Sequence, residues 1–119
     1  MNAYTSSKAT SVARIGQLAA RAERWMMDQA FPFWAERTPD PAGGFHERLD
    51  LDGQPVTGEP SRVRLQARMA YTFALAADMG WDQEQARRLT MRGVDTLVQD
   101  CRREDGLFGK LVQPGRGLV

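Results

Sequence analysis

The chain has 119 residues, 42% hydrophobic and 26% charged, the size and composition of one globular domain. Lys plus Arg number 16 against 15 Asp plus Glu, and a net charge of +1 supplies no field that would recruit nucleic acid or a membrane surface. One cysteine, Cys101, and one histidine, His46, exclude an intramolecular disulfide, a multi-cysteine metal site and a His-rich metal centre. No metal and no organic cofactor is expected. The longest apolar run, about Met69 to Ala77, is interrupted by Thr72 and far short of the ~20 residues a membrane helix needs. With no apolar leader in the first ten residues, the expected location is cytoplasmic.

Residues 1–10, rich in Ser and Thr, read as a flexible tail, and 11–119 as the folded part. Ser11 is a plausible N-cap for a helix over about 11–36. Val12, Ile15, Leu18, Ala19, Ala22, Trp25 and Met26 form its apolar stripe. Pro32 bends or breaks that helix, because its ring does not fit a helix interior. Residues 38–60 carry four prolines and four glycines, which punctuate turns. Within them, the alternation from Gly44 to Asp50 followed by Asp52-Gly53 predicts a two-stranded hairpin over about 44–56. A second helix starts after Pro60 with Ser61 as cap and runs to about Asp78, ended by Met79-Gly80. A third starts at Asp82, where Asp82 and Gln85 make a capping-box pattern, and stops near Arg103. Its stripe includes Leu89, Leu97 and Cys101.

The C-terminal segment resembles the first hairpin. Setting Gly106 on Gly44 puts Leu107 on Phe45, Leu111 on Leu49 and Gly115 on Gly53, an offset of 62 residues. Repeated helices with a hairpin between them are how an α/α toroid is built, and one and a half repeats do not close a ring. The expected fold is therefore all-α, an incomplete α/α toroid. It is expected to be truncated, or to be completed by self-association or by the remainder of the barrel.

Three segments resemble the N-acylglucosamine 2-epimerase family, which includes cellobiose 2-epimerases and mannose isomerases. They are Gly43-Gly44-Phe45-His46-Glu47-Arg48-Leu49-Asp50, the Gln-x-Arg helix around Gln66 and Arg68, and Asp105-Gly106-Leu107-Phe108. The resemblance implies a twelve-helix (α/α)6 barrel of which this chain is the N-terminal part. It implies sugar 2-epimerisation or aldose–ketose isomerisation by proton transfer at C2. The family's two catalytic histidines lie on later helices and His46 matches neither, so no catalytic residue is assigned and the fragment alone is expected to be inactive.

Arg64, Arg68 and Tyr71 share one helix face and are the candidate substrate-binding residues. By resemblance Arg68 is the sugar-site arginine. A guanidinium can hold sugar oxygens and stabilise the charge that develops as a proton leaves C2. Arg64 favours a more anionic ligand such as a sugar phosphate, and Tyr71 could bond a hydroxyl or merely pack. His46 and Glu47 are neighbours in an extended segment, so they point to opposite faces and do not share a site. Cys101 reads as a small buried hydrophobe. Trp25, Phe31, Phe33 and Trp34 read as packing rather than a sugar platform. The alternative function is a non-catalytic helical module for self-association or partner binding. A nucleic-acid surface built on Arg62, Arg64 and Arg68 is disfavoured by the balanced charge.

Overall fold

A computed structural model describes residues 3–119. Helix α1 (Ala3–Trp25) passes through a π-helical turn (Met26–Ala30) into α2 (Phe31–Arg37). A turn-rich segment leads to β1 (Ser61–Arg62), α3 (Val63–Asp78), α4 (Gln83–Asp100), β2 (Leu111–Gln113) and β3 (Gly117–Leu118). The chain is mainly helical, as expected.

Helix α1 begins at Ala3 rather than at Ser11, so the tail expected over residues 1–10 is helical wherever it is described; Met1 and Asn2 lie outside the described residues. The polar start is compatible with a helix because a hydroxyl can turn back onto it, as Thr10 Oγ1 does in donating to the Ser6 carbonyl at 3.0 Å. The apolar stripe is present but faces solvent: Val12, Ile15 and Leu18 are 62%, 66% and 49% exposed. Pro32 acts as expected. It has no N–H for the carbonyl four residues back, and the wide turn precedes it, with the Phe31 N–H donating to the Met26 carbonyl.

Helices α3 and α4 pack as an antiparallel pair, and their crossing requires Gly93. A Cβ there would lie 2.7 Å from the Ala70 Cβ. Around that crossing, Phe45, Phe73, Ala35 and Leu89 form the central core, with the Phe45 and Phe73 rings stacked at 5.8 Å. A second cluster joins Phe31 to Ala76 and Ala86, and a third joins Val63 to Cys101 and Val112. The Asp82 carboxylate caps α4 by accepting from the Gln85 N–H, as expected, though the helix ends at Asp100 rather than near Arg103.

Ser61 does not cap a helix. It is drawn into a strand, with Ser61 opposite Val112 and Arg62 opposite Leu111, and β2 pairs in turn with β3. The result is a three-stranded antiparallel sheet ordered β1-β2-β3. This tie between the start of α3 and the second hairpin is invisible to a local reading, because its partners are far apart in sequence.

The two hairpins are copies, at a register one residue longer than the glycine alignment suggests. His46 N–H bonds the Thr38 carbonyl as Gly109 N–H bonds that of Cys101. Asp40 pairs with Gly44 as Arg103 does with Leu107, and Val56 N–H reaches Arg48 as Val119 N–H reaches Leu111. Isolated bridges Pro39–Phe45 and Arg102–Phe108 complete the match. Every pair is 63 residues apart, which aligns Phe45 with Phe108 and Leu49 with Val112. The expected offset of 62 followed glycines whose turn positions are not equivalent.

Candidate functional site

The Gln-x-Arg segment of α3 divides its work between two faces. Gln66 is fully buried. Its Oε1 accepts from the Phe45 N–H at 2.9 Å, and its Nε2 donates to the Phe45 carbonyl at 2.9 Å and to Ser61 Oγ at 2.8 Å. One amide thus satisfies both backbone groups of a buried residue and ties the first hairpin onto α3. Gly44 makes room for it: a Cβ there would come within 2.5 Å of Gln66 Oε1, at a φ of +61° that favours glycine. The sequence shows the Gln-x-Arg motif; that its glutamine is a structural clamp follows only from the fold.

Arg64, Arg68 and Tyr71 lie on the opposite, exposed face of α3, with Tyr71 72% exposed. Neither the Arg64 nor the Arg68 guanidinium has an ion-pair partner among the described residues. Arg62, by contrast, is neutralised by Glu47, whose carboxylate also accepts from Ser61 Oγ at 3.1 Å and from the Arg62 N–H at 3.0 Å. The helix therefore presents two unpaired cations and a phenol on one side. Gln66, Ala70 and Phe73 anchor the other.

His46 is elsewhere. Its side chain is 7% exposed, with Nδ1 3.6 Å from Asp40 Oδ2, while Glu47 turns to Arg62; the neighbours diverge as alternation requires. Cys101 is buried, and burial, reinforced by nearby Asp100, pushes its thiol up to about 11. At neutral pH it is a protonated packing group. Among the four aromatics at the end of helix one, Phe31 is core, Trp25 is exposed, and Phe33 and Trp34 form an edge-to-face pair at 5.3 Å on the rim of a groove. Arg37 lies 5.0 Å from the Phe33 ring centre and donates to the Gly53 carbonyl at 2.8 Å.

Among the described residues no cluster of His, Cys, Asp or Glu could hold a metal ion, and no helix is long and apolar enough to cross a membrane. The chain is 41% identical over 68 residues to a mannose-6-phosphate isomerase of Rhizobium meliloti (strain 1021), a match that covers 56% of this chain and 16% of that relative. The chain thus spans about a sixth of the relative's length. The profile of N-acylglucosamine 2-epimerase (GlcNAc 2-epimerase) matches residues 43–118, from the first hairpin glycines to the last strand. With the Gly-Gly-Phe hairpin, its glutamine clamp and the arginine face all inside that match, the chain belongs to the N-acylglucosamine 2-epimerase family.

Proposed function

We propose that this chain is a portion of an (α/α)6 toroid that acts on a sugar or sugar phosphate at C2, and that the Arg64–Arg68–Tyr71 face of α3 is its contribution to substrate binding. The observation that carries the reading is the pair of unneutralised guanidinium groups on one exposed helix face in a member of this family. A second unneutralised guanidinium beside Arg68 suits a phosphorylated sugar, because Arg64 can meet phosphate oxygens through two N–H groups. The relative's action on mannose 6-phosphate, given by its name, agrees with this.

In the reaction a base removes the C2 proton, leaving an enediolate. Return of a proton to the opposite face of C2 gives the epimer, and return at C1 gives the aldose–ketose isomer. Arg68 would stabilise the developing oxyanion, with Arg64 on the phosphate and Tyr71 on a hydroxyl. The bases would come from residues outside 1–119, since the one histidine, His46, is buried with its Nδ1 3.6 Å from Asp40 Oδ2. On this reading the 119-residue chain binds weakly and does not turn over.

Amide and arginine side-chain NMR during titration with mannose 6-phosphate, and separately with mannose, tests the assignment. Shifts centred on Arg64, Arg68 and Tyr71, larger with the phosphate and lost in Arg68→Ala, are expected. Shifts centred on the hairpins would remove the assignment. Incorporation of deuterium at C2 by the pure chain in D2O would overturn the expected inactivity.

A further inference from the structure

The second hairpin meets the start of α3 across a cavity of about 640 Å³. Its two walls are held together by the pairing of β1 with β2 and by the Val63 N–H, which donates to the Lys110 carbonyl at 2.9 Å. Arg62 and Arg64 line the cavity from the helix, Lys110 and Phe108 from the hairpin, and none of its lining residues is acidic. Glu47 neutralises Arg62, which leaves two charges unanswered. Like Arg64, the exposed Lys110 ammonium has no ion-pair partner among the described residues. Two uncompensated cations on two walls of one cavity repel each other, and a dianion seated between them turns that repulsion into attraction. Ala67, Leu97 and the half-exposed Phe108 ring supply an apolar lining, against which charge-assisted hydrogen bonds are stronger than in open water.

We propose that this cavity is a phosphate-monoester subsite in which Lys110 joins Arg64 on the phosphoryl group. The two side chains suit complementary tasks. The Arg64 guanidinium can meet two phosphate oxygens through a planar pair of N–H groups, while the Lys110 ammonium is a compact point charge for the third. Lys110 is fixed beside α3 through its backbone, since its own carbonyl accepts from the Val63 N–H. The subsite also gives the sugar a direction. Arg64 and Arg68 lie one helical turn apart, about 6 Å along the axis. A sugar phosphate held by Lys110 and Arg64 therefore lies along α3, its phosphate toward the sheet and its reacting carbon toward Arg68 and Tyr71. That the ligand is a sugar phosphate rests on the proposed function; the phosphate subsite itself does not.

The sequence holds two lysines, Lys8 on α1 and Lys110, so amine acetylation reads the subsite against an internal control. The 119-residue chain is treated with an amine-selective acetylating reagent, and modification of each lysine is followed by mass spectrometry with mannose 6-phosphate, inorganic phosphate or mannose present. Both phosphates should slow modification of Lys110 and leave Lys8 unchanged, and mannose should slow neither. Arg64→Gln should abolish that protection. Lys110→Gln should weaken mannose 6-phosphate binding about ten-fold or more, as loss of a charge-assisted hydrogen bond does. Arg116→Gln removes an exposed cation of the same hairpin outside the cavity and should change neither result. Lys110 left unprotected by millimolar phosphate, or protected no more than Lys8, overturns the proposal. Protection that survives Arg64→Gln overturns it too, because the two cations would not share one ligand. Equal loss in Arg116→Gln does the same, because the effect would be one of net charge. The sugar reading fails separately: protection of Lys110 by inorganic phosphate, with no response of Arg68 or Tyr71 to mannose 6-phosphate, keeps the subsite and removes the sugar assignment.

Discussion

The two hairpins share a backbone and differ in almost everything that surrounds it. Phe45 and Phe108 occupy equivalent bridge positions, yet Phe45 is wholly buried against Phe73 and Phe108 is 53% exposed. Leu49 and Val112 are also equivalent, but here the second copy is sealed and the first is open. The first hairpin is covered on one face by α3, the helix that follows it, and the second is bordered on one edge by β1, which precedes α3. Among the described residues no strand borders Leu49 as β1 borders Val112, and no helix buries Phe108 as α3 buries Phe45. Turn chemistry sets the backbone, and neighbours decide which side chains become core. The turns themselves differ in one detail: Asp50 Oδ1 accepts from the Asp52 and Gln54 N–H groups, diverting the Gln54 donor that would extend the ladder. In the second hairpin the equivalent pair, Gln113 and Gly117, stays in the sheet.

The sharpest way to break this comparison is to truncate the equivalent phenylalanines. Phe45→Ala should cost about 3–5 kcal/mol, the range for emptying a fully buried aromatic site. Phe108→Ala should change stability by less than about 0.5 kcal/mol, as an exposed substitution does. Urea denaturation measures both, and similar costs would mean that the second hairpin is covered as the first is. Next in size is Gln66→Leu, which strands the Phe45 N–H and carbonyl in the core. A loss of about 2–4 kcal/mol is expected, since each unsatisfied buried group costs about 1–3 kcal/mol. The loss should appear with faster exchange at Phe45 and little change at Phe108.

Much of this was legible in the sequence, and the failures share a cause. The helix ends at Asp78 and the start at Asp82 carry their signals locally, as Gly80 and the Asp82–Gln85 cap. Pro32 announces its own distortion. The face shared by Arg64, Arg68 and Tyr71 follows from spacing, because a helix maps sequence onto direction. What was missed depends on distant partners. Ser61 has the chemistry of a cap and becomes a strand because Leu111 and Val112 lie beside it. The stripe of α1 has the pattern of a core face and stays exposed because no described residue packs on Val12, Ile15 or Leu18. The repeat was visible, but its register was not. Glycines mark left-handed positions, and these need not coincide between copies; the hydrogen bonds do.

Val112→Ala against Leu49→Ala sharpens the edge comparison at smaller amplitude. Removing the buried valine should cost about 1.5–3 kcal/mol, the worth of burying such a side chain. The half-buried leucine should cost less than that, because its outer surface already faces solvent. Equal costs would mean that β1 contributes no burial to the second hairpin.

A matched pair of thiols sharpens the edge comparison through reactivity more than through stability. Thr38 and Cys101 are equivalent and both buried, but only Cys101 lies beneath Val63. Thr38→Cys removes the hydrogen bond from Thr38 Oγ1 to the Trp34 carbonyl, at a cost of about 1 kcal/mol. The introduced thiol then sits under an open edge while the native one sits under a closed edge. A thiol reagent at pH 8 should modify the introduced group faster, and denaturant should bring the two rates together. The native thiol's ionisation gives a second reading. Burial, with Asp100 beside it, holds the folded-state value up near 11, above that of an unfolded cysteine. The folded chain therefore keeps a proton that the unfolded chain releases. This contribution to stability is complete below the ordinary thiol range and fades as pH rises through it toward 11. Cys101→Ser should flatten that alkaline decline. If the decline persists unchanged, the buried thiol is not its source; if both thiols react at one rate in the native protein, the edge along β2 opens as freely as the bare edge at Leu49.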